Sequence, residues 1–165
     1  MMIRWLVLSG VPILASLLDN CYPGYNQSHY DPDRQLDLNC SNKTGKSLNF
    51  TFKSNFVRLL KDKLNLTLWP PYNCTLEVNA TNSTIVQEKV TAEQGFWTPL
   101  THVKKEPDAI ASKLFDTYKS RSLYIPEMLT NALSFGCNFG TMSSGSFFSE
   151  SYFACIVEDK PSLVC

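Results

Sequence analysis

Histidine is nearly absent from this chain: only His29 and His102 occur in 165 residues. Metal centres and imidazole-dependent hydrolases gather histidines with carboxylates at fixed spacing. Neither histidine has such neighbours, so both read as loop residues. Net charge is absent as well, 15 basic residues standing against 15 acidic ones. Without a basic patch the chain does not read as a nucleic-acid binder. Long apolar runs are missing too. The stretch from Trp5 to Leu18 is broken by Ser9, Gly10, Pro12 and Ser16, and a spanning helix needs ~20 apolar residues. No serine occupies a nucleophile-elbow context, and Ser144-Gly145-Ser146 reads as a flexible turn. Phosphate-binding loops are lacking. Glu127, Glu150 and Glu158 are scattered and read as solvated charges. These absences leave no catalytic residue, no metal ligand set and no cofactor to expect.

What the chain has in excess is the sequon Asn-x-Ser/Thr. Eight occur, all between residues 26 and 82: Asn26, Asn39, Asn42, Asn49, Asn65, Asn73, Asn79 and Asn82. With 12 Asn and about 18 % Ser plus Thr, chance would complete about two. A sequon is used only in the secretory pathway, and its glycan must face solvent. The pattern predicts a secreted, extracellular glycoprotein with a sugar-covered front half and a bare back half. Five sites read as comfortable acceptors: Asn26, Asn42, Asn49, Asn65 and Asn82. At Asn39 and Asn73 a cysteine holds the middle position, where disulfide formation competes.

The N-terminus agrees with export. Arg4 and the short apolar run read as a signal peptide over 1–15, with Ile13 and Ala15 at the −3 and −1 sites and Ser16 an alternative −1 residue. No later segment reads as a membrane span or lipid-anchor tail. The six cysteines, Cys21, Cys40, Cys74, Cys137, Cys155 and Cys165, all follow that cleavage point. In an oxidising compartment an even set reads as three disulfides of open connectivity. Residues 16–48 then form a cysteine-containing arm and 49–165 a single domain.

Apolar periodicity places the elements. Phe52, Phe56, Leu59, Leu60 and Leu64 recur at helical spacing, with Thr51 or Ser54 as the cap. Residues 75–90 read as a second helix with Leu76, Ala80, Ser83 and Val90 on one face. A conflict sits there, because Asn79 falls only about 60° from Leu76 on a helical wheel. Either Asn79 carries no sugar or the helix is broken. Residues 95–99 read as loop. Pro107-Asp108 opens a third helix with Ile110, Ala111, Leu114, Phe115 and Tyr118 inward. Pro126 opens a short fourth with Met128, Leu129, Ala132 and Leu133. Two alternating strands close the chain, 134–139 and 151–157, with Cys137 and Cys155 placed to face each other. The class is α+β. Phe147, Phe148, Tyr152 and Phe153 border a Gly/Ser-rich loop. Alternation sends Tyr152 and Phe153 to opposite faces, so Phe147, Phe148 and Tyr152 are candidate interface residues.

Three segments and a closing strand, in order, resemble the CAP superfamily, the family of cysteine-rich secretory proteins, antigen 5 and plant pathogenesis-related proteins. Ser54-Asn55-Phe56-Val57-Arg58 is similar to its His-Asn-x-x-Arg helix without the His. Tyr72-Asn73-Cys74-Thr75-Leu76-Glu77-Val78-Asn79-Ala80 resembles the Tyr-x-Cys-x-Leu-Glu-x-x-Ala segment of the activation-associated secreted proteins of parasitic nematodes. Tyr124-Ile125-Pro126-Glu127-Met128-Leu129, leading to Phe135-Gly136-Cys137, resembles the family's His-x-Thr-Gln stretch before its Gly-Cys. Tyr152-Phe153-Ala154-Cys155-Ile156-Val157 is similar to its closing strand. The match covers roughly residues 50–160. It implies a disulfide-bonded, three-layer α-β-α sandwich. Many relatives hold two His and two Glu in a metal-binding cleft. Here the first His position is Ser54, the second falls near Leu123 or Tyr124, and Leu114-Phe115-Asp116-Thr117 lacks a Glu. Glu93 is the one candidate for the other carboxylate, so the resemblance implies no zinc. It implies instead a non-enzymatic, host-interacting or immunomodulatory protein with an unknown host protein as partner. The alternative is an extracellular lipid or sterol carrier, as some relatives are.

Overall fold

The apolar stripe that begins after Asn49 folds as α1, Phe50–Leu64, whose buried positions are Lys53, Phe56, Val57 and Leu60. The computed structural model describes Leu38, Cys40 and residues 47–66, 69–121, 124–144 and 148–159, all within one unit, Tyr30–Lys160. The cap of α1 is neither Thr51 nor Ser54. Asn49 holds that place, and its Oδ1 accepts the Thr51 N–H at 2.8 Å. Apolar spacing reports the buried face, and the capping residue lies outside it. Asn65 ends the helix in the left-handed region (φ 48°), its N–H returning to the Lys61 carbonyl. Asn tolerates that conformation better than other non-glycine residues.

The helix expected over 75–90 is two helices. α2 is Cys74–Asn79 and α3 is Ser83–Thr91. Asn82 restarts the second by accepting from Thr84 N and Ile85 N. The break settles the conflict at Asn79, which sits half-buried at the end of α2 rather than mid-helix. Residues expected as loop form β1, Gly95–Pro99. Its five residues, closed by Gly and Pro, were too few for alternation to register. α4, Pro107–Thr117, starts at its proline and buries Ile110, Ala111 and Leu114. A single 3₁₀ turn follows at Lys119–Arg121. α5, Tyr124–Asn131, begins two residues ahead of Pro126 and buries Ile125, Met128 and Leu129. β2, Ala132–Ser144, and β3, Phe148–Asp159, outrun the expected strands at both ends.

The sheet is antiparallel in the order β1-β3-β2. Cys137 pairs with Cys155 in register, and the two form a disulfide. A second disulfide joins Cys40 to Cys74. Cys21 and Cys165 lie outside the described residues. Loop closure over 34 and 18 residues removes chain entropy equivalent to roughly 4 and 3 kcal/mol. Pro71 to Asn73 extends the β2 edge: Phe135 N–H donates to the Pro71 carbonyl and Asn73 N–H to the Phe135 carbonyl.

Both faces of the sheet are covered. Phe96, Phe135, Cys137, Phe153, Cys155 and Val157 meet the buried faces of α1, α4 and α5. Tyr152, Ala154 and Ile156 meet Ala80 and Val86, with Leu76, Ile85 and Val90 around them. Alternation along β3 thus feeds two cores, one per face. The sequon-bearing front half supplies α1 to one face and α3 to the other. The sequon-bearing and sequon-free halves of the chain therefore do not map onto opposite faces of the sheet. No helix among the described residues is long and apolar enough to cross a membrane.

Candidate functional site

The densest polar cluster lies where the arm, α1 and α2 meet. Lys53 falls on the buried stripe of α1, three residues before Phe56, and Glu77 on the sheet-facing side of α2. The two side chains are 2 % and 0 % exposed and pair at 3.1 Å. Burial at that level costs several kcal/mol per ion unless every lone pair is met (roughly, after relaxation). Glu77 Oε1 accepts from Ser47 Oγ at 2.9 Å and from the Leu48 N–H. Lys53 Nζ also donates to Ser47 Oγ at 3.3 Å and lies 5.6 Å from the Tyr72 ring centre. Glu77 Oε2 approaches Cys40 Sγ to 2.9 Å, a contact without a proton, since that sulfur is in the disulfide. Tyr72 OH donates to the Cys137 carbonyl at 3.0 Å and accepts the Cys137 N–H. Burial, and then the Glu77 charge, push its phenol far above the ordinary range. One carboxylate therefore ties the arm to two helices, and Tyr72 beside it holds the cluster to β2.

Gly136 is what lets α2 come so near. A Cβ there would stand 2.3 Å from Glu77 N and 2.5 Å from the Asn73 carbonyl oxygen. Sequence reasoning missed Lys53 and Glu77 as a pair. The available signal was a lysine set on the apolar stripe of α1.

Cys40, Cys74 and Glu77 also bring three potential metal-ligating atoms within 4.8 Å of one another. Metal binding needs free thiolates, and both sulfurs are consumed in the disulfide. The Lys53 ammonium beside Oε2 further repels a cation.

The positions implied for a metal cleft hold other chemistry. Ser54 is half-buried on α1, and Glu93 is exposed at a left-handed turn (φ 59°). Tyr124 OH donates to the Gly95 carbonyl at 3.0 Å. Its ring stacks on Tyr118 at 5.1 Å and lies under Arg121. Burial, with help from Tyr118 and Glu93, pushes the Tyr124 phenol up to about 12. Burial also raises Tyr118, whose hydroxyl accepts the Trp97 N–H from the β1 edge. These phenols keep their protons at physiological pH and serve the backbone. Asp116 is exposed on α4, and Arg58 pairs with Asp62 at 3.8 Å in solvent. Among the scattered carboxylates, Glu150 accepts from Thr101 and Glu158 from Ser134, while Glu127 is exposed. His102 is exposed in a turn (φ 60°), and His29 lies outside the described residues.

The candidate interface changes. Tyr152 is 0 % exposed, because the face opposite Phe153 is covered by a core of its own. It meets Trp97 edge-on at 6.3 Å and lies over Gly140, where a Cβ would reach its ring at 2.2 Å. Burial raises its pKa, and its hydroxyl has no hydrogen-bond partner among the described residues. Phe148 pairs with Ser144 in the β2–β3 ribbon, and Phe147 lies outside the described residues. Exposed positions at the turn end of the ribbon are Thr141, Ser143, Ser149 and Glu150, and at its other end Glu158 and Asp159. Among the sequons, Asn49, Asn65 and Asn82 are exposed and Asn73 and Asn79 half-buried; Asn26, Asn39 and Asn42 lie outside the described residues.

No protein-family model, curated protein or solved structure matches the chain.

Proposed function

We propose that the chain is a secreted, disulfide-bonded glycoprotein of degenerate CAP type that acts by contact with a host protein and not by catalysis. The observation that carries this reading is the convergence of the segments quoted for the resemblance. Lys53, next to the Ser54–Arg58 motif, pairs with Glu77 of the second motif. Tyr72 of that motif bridges Phe135 and Cys137 of the third, and Cys137 is bonded to Cys155 of the closing strand. Residues scattered over a hundred positions thus meet around one sheet with helices on both faces, which is compatible with the resemblance. Two disulfides agree with an oxidising compartment. The cleft positions carry Ser54 and a backbone-bound Tyr124 in place of imidazoles, which favours binding over hydrolysis.

The test is an array of defined host plasma proteins and cell-surface ectodomains, probed with the full chain purified from culture medium. Saturable binding to one ectodomain supports the reading, and an array without a ligand counts against it. Stoichiometric zinc that is lost on Glu93→Ala would overturn its non-catalytic part.

A further inference from the structure

Three sequon asparagines stand directly before helices, and each caps its helix through the same atom. Oδ1 of Asn49, Asn73 and Asn82 accepts the backbone N–H of Thr51, Thr75 and Thr84 at 2.8, 2.9 and 3.0 Å. In every case the donor is the backbone of the sequon threonine. A cap explains the asparagine, because Asn is among the best N-cap residues. It does not explain the threonine, since any residue but proline supplies a backbone N–H and Thr is a weak helix former. The hydroxyls of Thr51, Thr75 and Thr84 are on exposed residues and make no hydrogen bond among the described residues.

The two atoms of the side-chain amide are separable. Capping uses Oδ1, and N-glycosylation is chemistry at Nδ2. At Asn49 and Asn82 the residue is exposed and Nδ2 has no partner among the described residues. Asn65 is exposed at the other end of α1, where its backbone N–H closes the helix. Asn73 differs. It is half-buried, its Nδ2 donates to Ser134 Oγ at 3.3 Å, and Ser134 in turn donates to Glu158. Its backbone N–H bonds the Phe135 carbonyl, and Cys74 beside it is in a disulfide.

We propose that Asn49, Asn65 and Asn82 carry N-linked glycans, while the Asn73 amide stays unmodified and fixes α2 to the edge of β2. This rests on the secretory reading above. In the transfer, Nδ2 bonds to the anomeric carbon of an oligosaccharide carried on a lipid diphosphate. The bond from that carbon to the diphosphate oxygen breaks, the diphosphate leaves with the electron pair, and one Nδ2 proton passes to the transferase's base. Oδ1 is untouched, so the caps at Asn49 and Asn82 survive modification. The glycans flank α1 on one face of the sheet and α3 on the other.

The experiment expresses the full chain in animal cells in two forms, with its own N-terminal residues and with a heterologous secretion leader. Site occupancy is read by peptide mass spectrometry after enzymatic deglycosylation in heavy-oxygen water. The expected result is sugar at Asn49, Asn65 and Asn82 and none at Asn73. Thr51→Ala and Thr84→Ala should each remove one glycan, and after deglycosylation melt with the parent protein. Asn49→Ala and Asn82→Ala should remove the glycan and also lower the melting temperature. Sugar at Asn73, or bare Asn49, Asn65 or Asn82 in protein exported by the heterologous leader, overturns the proposal and leaves the secretory reading standing. Export with the heterologous leader alone overturns the secretory reading instead.

Discussion

Removing one partner of the Lys53–Glu77 pair should cost the fold roughly 3–5 kcal/mol, because it leaves the other charge buried alone. At 3.1 Å and an effective dielectric of ~20, the pair attracts by about 5 kcal/mol. That attraction works against the desolvation of two ions with almost no exposure. In Lys53→Met the Glu77 carboxylate keeps Ser47 and Leu48 as donors but loses its cation. In Glu77→Gln the amide oxygen can hold the same two donors, while its NH₂ faces the Lys53 ammonium, donor against donor. Lys53 is then left with Ser47 Oγ and the Tyr72 ring. The double variant removes both charges and retains the acceptor for Leu48. Its cost should fall well below the sum of the singles, with a coupling energy of at least about 2 kcal/mol. Urea unfolding followed by circular dichroism, with both disulfides intact, measures all three. Single variants costing under about 1 kcal/mol, or a double variant that is simply additive, would refute the reasoning.

Three further outcomes follow from the geometry. Gly136→Ala should destabilise by at least about 1–3 kcal/mol, since its Cβ meets helix backbone that cannot rotate aside; an unchanged urea midpoint would contradict the packing. Under graded reductant, alkylation should find Cys40 and Cys74 before Cys137 and Cys155, because the first pair is half-exposed and the second 1 % exposed; the reverse order would not fit. In alkali, Tyr72, Tyr118, Tyr124 and Tyr152 all have raised pKa values from burial. The unfolded chain then loses protons first, so stability is full below about pH 10 and falls as pH rises toward 12 and beyond. Absorbance titration and urea midpoints across that range check it, and a stability that holds flat would count against the buried phenols.

Helical periodicity carried well where one face is buried. α1 and α4 were legible because their apolar residues recur at three and four positions and Pro107 marks a start. The α2–α3 break was legible only as a conflict at Asn79. β1 was hidden because both faces of the sheet are covered, so Phe96 and Trp97 are both inward and no polar alternation remains. The same fact buried Tyr152, which alternation alone had freed for an interface. The buried pair was illegible for another reason. A lone Lys53 or Glu77 looks like a surface charge until the fold brings residues 24 apart to 3.1 Å.

The sequons carry two meanings that sequence alone merges. Read along the chain, they marked only the surface. In the structure, Asn49, Asn73 and Asn82 also decide where α1, α2 and α3 begin. A scan that replaces each Asn would therefore mix a lost sugar with a lost cap, the latter worth about 1 kcal/mol. The threonines separate the two, since the cap uses only their backbone. Position in the fold then sorts the sites further. Asn49 and Asn65 bracket a helix on one face and Asn82 starts a helix on the other, whereas the β2–β3 ribbon offers no acceptor on any residue after Thr84. Under the proposed occupancy, the turn end of that ribbon, with Thr141, Ser143, Ser149 and Glu150 outward, stays free of sugar. α4 and α5 carry no sequon either, so the sequon-free surface offered to a partner comprises those two helices together with the ribbon.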